Sequence, residues 1–495
     1  MNKAIMRISL ACLAMFVLLL ININYVQAFE VNSLADKPLN SRVFDEQFTF
    51  QRGEILAVGS NGNSVVIAKS VAVKGTNTYR RDYPSGPEYA PVTGFDGIYG
   101  QSGIEAAENK ELNGSDPRLA IRNFTSLLTG KQKQGANVQL TINAAAQTAA
   151  YNALVNDGGH PAAVVALNPS TGAVLAMASY PSYNPNELTT LDGTQFDKND
   201  NALLRAAGNP MLNRAIQATF PPGSSFKIVT SSAALSNHVV ASVGTKVQAP
   251  QPLKLPNGNF LNNDGDEQCG DGDPAMIEAF YLSCNTAFAK IGIKVTAPVL
   301  RQQASLFGLN QPLNIPLAVV PSVLPPVPDN DPSLTAFSSI GQYNDQVTPL
   351  QEAMFSAAIA NHGKLMTPYM VQQVIGPGLS VIQQATPSTL SQAVTPQVAG
   401  EVQSMMLQVT QNPNGTAYRT AGPPATSIVI YGKTGTAENG INNSSTDDAV
   451  FSCFVPASSG QQPIAVGVIV KGGGFGADAA APIAVQIIKA FEGQS

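Results

Sequence analysis

Between residue 136 and the C-terminus, strand-length apolar runs lie at both ends and helical sequence fills the middle, which constrains the fold more than any other feature. Ala162 to Leu167 and Ala173 to Ala178 flank Asn168-Pro169-Ser170-Thr171-Gly172, a turn-forming stretch that makes the pair a hairpin. Far downstream, Ser427 to Gly432, Val450 to Val455 and Ile464 to Val470 read as strands, and Ala480 to Phe491 closes as a helix. The expected class is α+β, with one antiparallel sheet assembled from both termini of the domain and flanked by helices. Near the start of this region Val138 to Ile142 alternates as a short strand, and Ala144 to Asn156 reads as an Ala-rich helix with Ala149, Ala153 and Leu154 on one face.

Upstream, residues 30–135 read as a separate, mainly extended, loop-rich module, poor in apolar periodicity and rich in Gly, Asn, Pro and Tyr. The polar stretch Gln132-Lys133-Gln134-Gly135 is the expected hinge to the domain at 136–495. Before the module, Lys3 and Arg7 precede an uncharged apolar stretch, residues 8–29, about the length a bilayer requires. The expected topology is a cytoplasmic tail at 1–7, a single transmembrane anchor at 8–29 and everything after it outside the cytoplasm. The other reading is a cleaved secretory signal, because Val26-Gln27-Ala28 offers the small residues a signal peptidase accepts.

Charged residues are only 12%, against about 25% in ordinary soluble domains, which suits an extracytoplasmic protein. The net charge is -5 and there is no Lys/Arg run, so nucleic acid is excluded as a partner. Three histidines and no paired cysteine spacing argue against a metal centre. Cys12 falls in the membrane stretch. Cys269 and Cys284, in an oxidising compartment, are either a disulfide or two buried thiols, and Cys453 reads as a small hydrophobe in a strand.

Three short motifs carry the chemistry. In Pro221-Pro222-Gly223-Ser224-Ser225-Phe226-Lys227 a helix is expected to begin at Ser224, which puts the Ser224 hydroxyl and the Lys227 amine on one face. Burial and the positive helix end both disfavour an ammonium, so Lys227 can take the serine proton without histidine. Ser283-Cys284-Asn285 inserts polar groups into an apolar stretch. Ser182-Tyr183-Asn184 has the same pattern but precedes the candidate nucleophile. Lys433-Thr434-Gly435-Thr436 follows the strand Ile428-Val429-Ile430, so its cation and hydroxyls are expected to project from a strand end, where they suit a substrate carboxylate.

Ser-x-x-Lys, Ser-x-Asn and Lys-Thr-Gly in that order, with 59 residues from Ser224 to Ser283 and 150 from Ser283 to Lys433, resemble the set found in penicillin-binding proteins and class A β-lactamases. The chain most resembles a monofunctional class B penicillin-binding protein of the actinobacterial penicillin-binding protein A type. Arg52-Gly53-Glu54-Ile55, Ser102-Gly103-Ile104-Glu105, Asn213-Arg214-Ala215, Gly341-Gln342 and Thr348-Pro349-Leu350-Gln351 extend the likeness over nearly the whole chain. The resemblance implies a penicillin-binding transpeptidase fold, a non-catalytic dimerisation domain before it, and no cofactor. It implies that Ser224 is acylated, Lys227 accepts its proton and Ser283 relays that proton to the leaving D-alanine. Asn285 would hold the donor peptide, and Lys433, Thr434, Gly435 and Thr436 its carboxylate end. The N–H groups of Ser224 and Thr436 would form the oxyanion hole. The substrates implied are peptidoglycan stem peptides ending in D-Ala-D-Ala, β-lactams would be covalent inhibitors, and a membrane glycosyltransferase would be a partner. One departure is the strand after Lys-Thr-Gly, where the family commonly has Trp and this chain reads Ala449-Val450-Phe451.

The alternatives are a D,D-carboxypeptidase, a β-lactam-hydrolysing relative, or a scaffold of the cell-wall machinery. Class A hydrolysis uses a glutamate with Asn four residues on. Between Ser283 and Lys433 the chain offers only Asp329, Asp331, Asp345, Glu352 and Glu401, none with that Asn. Transpeptidation is therefore the expected chemistry.

Overall fold

Both ends of the C-terminal region do meet in one sheet. The computed structural model describes residues 3–30, 47–119, 134–328, 331–439, 445–458 and 461–494. In chain order the strands of its two main sheets are β1 (Ile55–Val58), β2 (Ser64–Ala72), β3 (Tyr79–Asp82), β4 (Asn137–Asn143), β5 (Ala162–Leu167), β6 (Val174–Tyr180), β7 (Val371–Gly376), β8 (Ser380–Gln384), β9 (Tyr431–Asn439), β10 (Ser445–Val455) and β11 (Ile464–Val470). The five-stranded sheet runs β9-β10-β11-β5-β6, antiparallel throughout. Strands β5 and β11 are buried at every position, as a sheet covered on both faces requires.

The helices used below are α1 (Lys3–Tyr25), α2 (Ala144–Val155), α3 (Lys227–Ser236), α4 (Met276–Tyr281), α5 (Asn285–Val295), α6 (Pro349–Ala360), α7 (Pro396–Gln411) and α8 (Ala480–Phe491). Helix α6 is buried along nearly its whole length and lies on the sheet. A Cβ on Gly467 of β11 would meet the Ala353 nitrogen of α6 at 2.3 Å, so the missing side chain sets how closely helix and sheet approach. The Phe226 and Phe355 rings then meet edge to face, 6.2 Å apart, and couple α6 to the segment that opens α3.

Three local expectations shift. The strand expected over Ser427–Gly432 starts at Tyr431 and continues to Asn439, because β10 offers partners only from Tyr431 onward, paired with Phe454. Helix α2 buries Ala146, Gln147, Ala150, Ala153 and Leu154 and leaves Ala149 partly exposed. A glutamine is tolerated on that face because its amide exchanges two hydrogen bonds with the Met177 backbone, at 2.8 and 2.9 Å. Strand β4 does not join the five-stranded sheet. It lies between β1 and β7 in a six-stranded sheet ordered β8-β7-β4-β1-β2-β3, so the first module shares hydrogen bonds with sequence far downstream. Of the expected hinge, Gln132 and Lys133 lie outside the described residues, while Gly135 packs on Leu112 so closely that a Cβ would sit 1.7 Å from its carbonyl oxygen.

The first module is held by buried charge as well as apolar packing. Glu105 is fully buried, with Oε2 2.9 Å from Arg52 Nε and Oε1 2.6 Å from an Arg81 terminal nitrogen. Burial alone would raise this carboxyl, but Arg81 and Arg52 hold it below its ordinary range. At the N-terminus, α1 is exposed, apolar and long enough to cross a membrane by length and composition. Its range takes in Lys3 and Arg7, so the helix begins five residues before the expected apolar stretch.

Candidate active site

Pro221 and Pro222 end the preceding segment, and residues Gly223–Phe226 form a 3-10 turn that passes into α3 at Lys227. The α-helix therefore starts three residues later than expected. This tighter turn is what aligns the first motif: with about 3.0 residues per turn, side chains at i and i+3 eclipse. Ser224 Oγ and Lys227 Nζ lie 2.8 Å apart. The turn is clamped by close backbone approaches. Gly223 donates to the Gly341 carbonyl at 3.1 Å, and a Cβ on Gly341, at φ +74, would lie 2.2 Å from the Gly223 oxygen. On the other side a Cβ on Gly435 of β9 would meet the Pro222 oxygen at 2.7 Å. The edge strand thus packs directly on the turn that carries Ser224.

Lys227 is fully buried, its Nζ 5.6 Å from the centre of the Phe288 ring. Burial pushes the amine down to about 7, against an upward pull from Asp264. Besides Ser224, Nζ has the Ser283 carbonyl oxygen at 2.7 Å and Asn285 Oδ1 at 2.7 Å. Both can only accept. A neutral amine has two hydrogens to give them, which leaves its lone pair to face the Ser224 hydroxyl. That is the arrangement of a base beside its nucleophile.

Ser283 stands between α4 and α5 at φ +62, an unusual conformation for a residue with a Cβ, of the kind found at functional sites. It turns both the carbonyl and the hydroxyl of one residue toward Lys227, with Oγ at 3.3 Å. The same Oγ is 2.8 Å from Lys433 Nζ. Cys284, the next residue, is disulfide-bonded to Cys269. The loop so tethered carries Asp264, whose Oδ1 accepts from Asn285 Nδ2 at 2.9 Å, so the Asn285 amide is held with its oxygen toward Lys227.

Lys433, Thr434, Gly435 and Thr436 lie inside β9 rather than at a strand end, on the free edge of the sheet. Lys433 is fully buried, and burial first, then the nearby Lys227, drives its amine well below the ordinary range. Its Nζ also donates to the Thr434 carbonyl at 2.9 Å and lies 5.7 Å from the Phe280 ring centre. Thr434 and Thr416 hydroxyls are 2.7 Å apart, and the Thr436 carbonyl accepts from Gln342 Nε2 at 3.1 Å. Where the family commonly has Trp, Phe451 pairs with Thr434 across the sheet and is fully buried against Gly432.

Ser224, Ser283, Thr434 and Thr436 line one cleft of about 330 Å³, together with Asp264, Leu282, Thr416 and residues 475–478. Asp264, Thr416 and the exposed Phe475 were not anticipated; they come from loops remote in sequence, and no local pattern marks them. A groove of about 510 Å³ elsewhere, lined by Asn143, Asn168, Gln372 and Gln462, contains neither Lys nor Arg. Ser182 and Asn184 stay out of the cleft: Ser182 donates to the Pro87 carbonyl and Asn184 caps the turn at Pro185–Leu188.

Comparison with known proteins accords with this geometry. Residues 162–489 match the penicillin binding protein transpeptidase domain, and residues 52–138 the penicillin binding protein A dimerisation domain. The chain is 40% identical over 486 residues to the peptidoglycan D,D-transpeptidase PbpA of Mycolicibacterium smegmatis, covering 96% of this chain and 94% of that protein. It is 38% identical over 502 residues to PbpA of Mycobacterium tuberculosis, covering 99% of each. Among solved structures it resembles the ceftriaxone acyl-enzyme complex of M. tuberculosis penicillin-binding protein A, with a TM-score of 0.83 and 37% identity over 90% of this chain and 99% of the other. The penicillin G acyl-enzyme complex of the same protein gives a TM-score of 0.81 and 38% identity over 89% of this chain and 99% of the other. With its transpeptidase domain matched from β5 into α8, this chain belongs to the penicillin-binding protein transpeptidases, in the class B group that carries a dimerisation domain ahead of the catalytic one.

Proposed function

We propose that the protein is a serine-type peptidoglycan D,D-transpeptidase that cross-links stem peptides ending in D-Ala-D-Ala and is acylated by β-lactams. The observation that carries this reading is the 2.8 Å approach of Ser224 Oγ to a buried Lys227 amine whose other close partners are acceptors. Ser224 Oγ attacks the penultimate D-Ala carbonyl while its proton passes to Lys227 Nζ. The backbone N–H groups of Ser224 and Thr436 receive the oxyanion, a donor in that role being worth about 3–4 kcal/mol. Ser283 Oγ, between the two lysines, carries the proton to the departing D-Ala amine. Asn285 holds the donor peptide, and Lys433, Thr434 and Thr436 its carboxylate, with Gly435 allowing strand and turn to touch. A stem-peptide amine then attacks the Ser224 ester, forming the cross-link and restoring the serine.

Hydrolysis is disfavoured by the placement of the carboxyls between Ser283 and Lys433. Asp331 caps a helix, Asp345 pairs with Ser338, Glu352 is buried against Ser225, and Glu401 lies beside Gln397 on α7. None of these four lines the cleft; Asp329 lies outside the described residues. Of the carboxyls that do line the cleft, Asp264 is engaged by the Asn285 amide; with none of these four at hand to activate water, the acyl-enzyme waits for an amine.

Residues 8–29 serve as a single-pass anchor with the cytoplasmic tail at 1–7, residues 30–135 as the non-catalytic domain and 136–495 as the catalytic domain in this reading. A membrane glycosyltransferase supplies the glycan strands. Fluorescent penicillin tests the central claim: wild type becomes covalently labelled and Ser224→Ala does not. A label that survives Ser224→Ala refutes it. Mass spectrometry after reaction with a synthetic stem peptide distinguishes the cross-linked product from the hydrolysed one.

A further inference from the structure

Glu352 is excluded above as a hydrolytic base, yet it touches the residue next to the nucleophile. It sits on α6, fully buried, with Oε1 2.8 Å from Ser225 Oγ. Ser225 Oγ is also 2.8 Å from the Pro222 carbonyl oxygen. A serine hydroxyl has one hydrogen. If Glu352 were a carboxylate, two acceptors would compete for that hydrogen and one contact would join two bare oxygens at 2.8 Å. If Glu352 is a neutral acid, both contacts are matched: its O–H donates to Ser225 Oγ, and Ser225 donates to Pro222. The other carboxyl oxygen, Oε2, finds no partner among the described residues, a place where a full charge is costly. Pro222 opens the turn that carries Ser224, so the chain of three groups spans the base of the nucleophile's turn.

We infer that Glu352 is a positioning residue of the acylation step, acting as a protonated carboxylic acid that holds the Pro222–Ser225 turn, and hence Ser224 Oγ, against Lys227. This rests on the transpeptidase reading above and deepens it. The backbone of Glu352 is fixed from the other side, where Ser452 of β10 donates to its carbonyl at 2.7 Å. The acid is thus an anchored strut between sheet and turn. Titratable groups on the elements packed around α6 are Arg214, Lys364, Glu401, Asp447, Asp448 and Cys453, with Lys227 two residues past Ser225 on the neighbouring α3. Burial, opposed by the Ser225 hydrogen bond, governs the Glu352 carboxyl and pushes it up to about 8. It is therefore neutral at pH 7, and the strut weakens as pH rises through about 8.

The test measures second-order acylation by a penicillin from about pH 6 to about pH 9.5 in wild type, Glu352→Gln and Glu352→Leu, full-length and in detergent. Glutamine keeps a donor toward Ser225 and cannot ionise; leucine keeps volume only. The expected result is that E352Q acylates within about threefold of wild type near pH 7 while E352L is about tenfold slower, the loss of one buried donor. The wild-type rate divided by the E352Q rate then falls with a midpoint near about 8. Asp345, also pushed up to about 8, and Lys433 titrate in both proteins, so the ratio isolates Glu352. A ratio that stays flat with pH, or E352Q as slow as E352L, overturns the inference. An infrared difference spectrum between wild type and E352Q near neutral pH gives a second reading. A protonated carboxyl carbonyl band supports the inference, and a carboxylate band overturns it. Failure of the transpeptidase reading itself would look different: wild type would not acylate at any pH.

Discussion

Lys227 of the first motif and Lys433 of the third meet at one hydroxyl, Ser283 Oγ, 3.3 Å from one amine and 2.8 Å from the other. Two buried ammonium groups this close are costly, and the Lys227 charge adds to burial in lowering the Lys433 amine, while burial governs Lys227. Acylation should therefore rise with pH through about 7, where Lys227 loses its proton, and fall again above about 8, where Glu352 ionises and the turn it holds loosens. Below the first of these points the ammonium has no lone pair for the Ser224 proton. Burial sets the Lys227 amine and the repulsion falls on Lys433, so Lys433→Ala should weaken substrate binding and leave this limb near pH 7. The acylation rate of each protein, followed against pH with a chromogenic β-lactam, locates the limb in both.

Ser283 contributes by its hydroxyl and by its backbone, and two substitutions separate them. Ser283→Ala and Ser283→Gly both remove the shared hydroxyl, and each should lower acylation about 100-fold, the low end for a lost proton-transfer group. They should differ in stability. At φ +62 a Cβ is strained, so Ser283→Gly should be more stable than Ser283→Ala by about 1 kcal/mol. Thermal unfolding of the two variants, set against their nearly equal acylation rates, checks the division.

What could be read from the chain alone follows how local each feature is. The pairing of Ser224 with Lys227 depends on three residues of spacing, and the strands β5 and β11 are nearly continuous apolar runs. The placement of β4 was not readable, because Val138–Ile142 alternates in the same way whichever sheet it joins; its neighbours, β1 and β7, come from about 80 residues upstream and more than 200 downstream. Ser427–Ile430 looked like strand because it is apolar, but a strand needs a partner and β10 stops at Tyr431's level. Asp264 and Thr416 escaped for a different reason. Each reaches the cleft from a loop, held there by a disulfide or a threonine pair that no spacing announces.

The buried Glu105 makes the first module sensitive to a single charge. Glu105→Gln keeps the shape but leaves Arg81 without its carboxylate and Arg52 with Asp96 alone, and breaking a buried pair of this kind costs about 3–5 kcal/mol. Because β1 pairs with β4, which enters the catalytic region, loosening should spread into the six-stranded sheet and not stop at residue 135. Hydrogen exchange of Glu105→Gln should therefore show faster exchange in β4 and β7 as well as in β1. The five-stranded sheet, which shares no strand with it, should keep its protection.

The disulfide between Cys269 and Cys284 closes a 15-residue separation, for which chain entropy predicts about 3 kcal/mol at most. Its effect on the reaction should exceed its effect on folding, because of what the loop holds. Cys284 lies between Ser283 and Asn285, and the loop on the other side carries Asn263 and Asp264. Asn263 Oδ1 accepts from the Thr286 backbone at 3.0 Å and Asp264 Oδ1 from Asn285 Nδ2 at 2.9 Å, so two side chains of one loop cap the start of α5. Without the bond these contacts must order a freer loop, and the Asn285 amide can turn its oxygen away from Lys227. The double variant Cys269→Ser, Cys284→Ser should remain folded at 25 °C and bind penicillin, but acylate about tenfold more slowly, one lost orienting hydrogen bond's worth. Adding a reductant to wild type should reproduce that loss, and Asp264→Asn, which keeps an acceptor, should not. Equal acylation by the double variant and wild type would show that α5 holds Asn285 in place by itself.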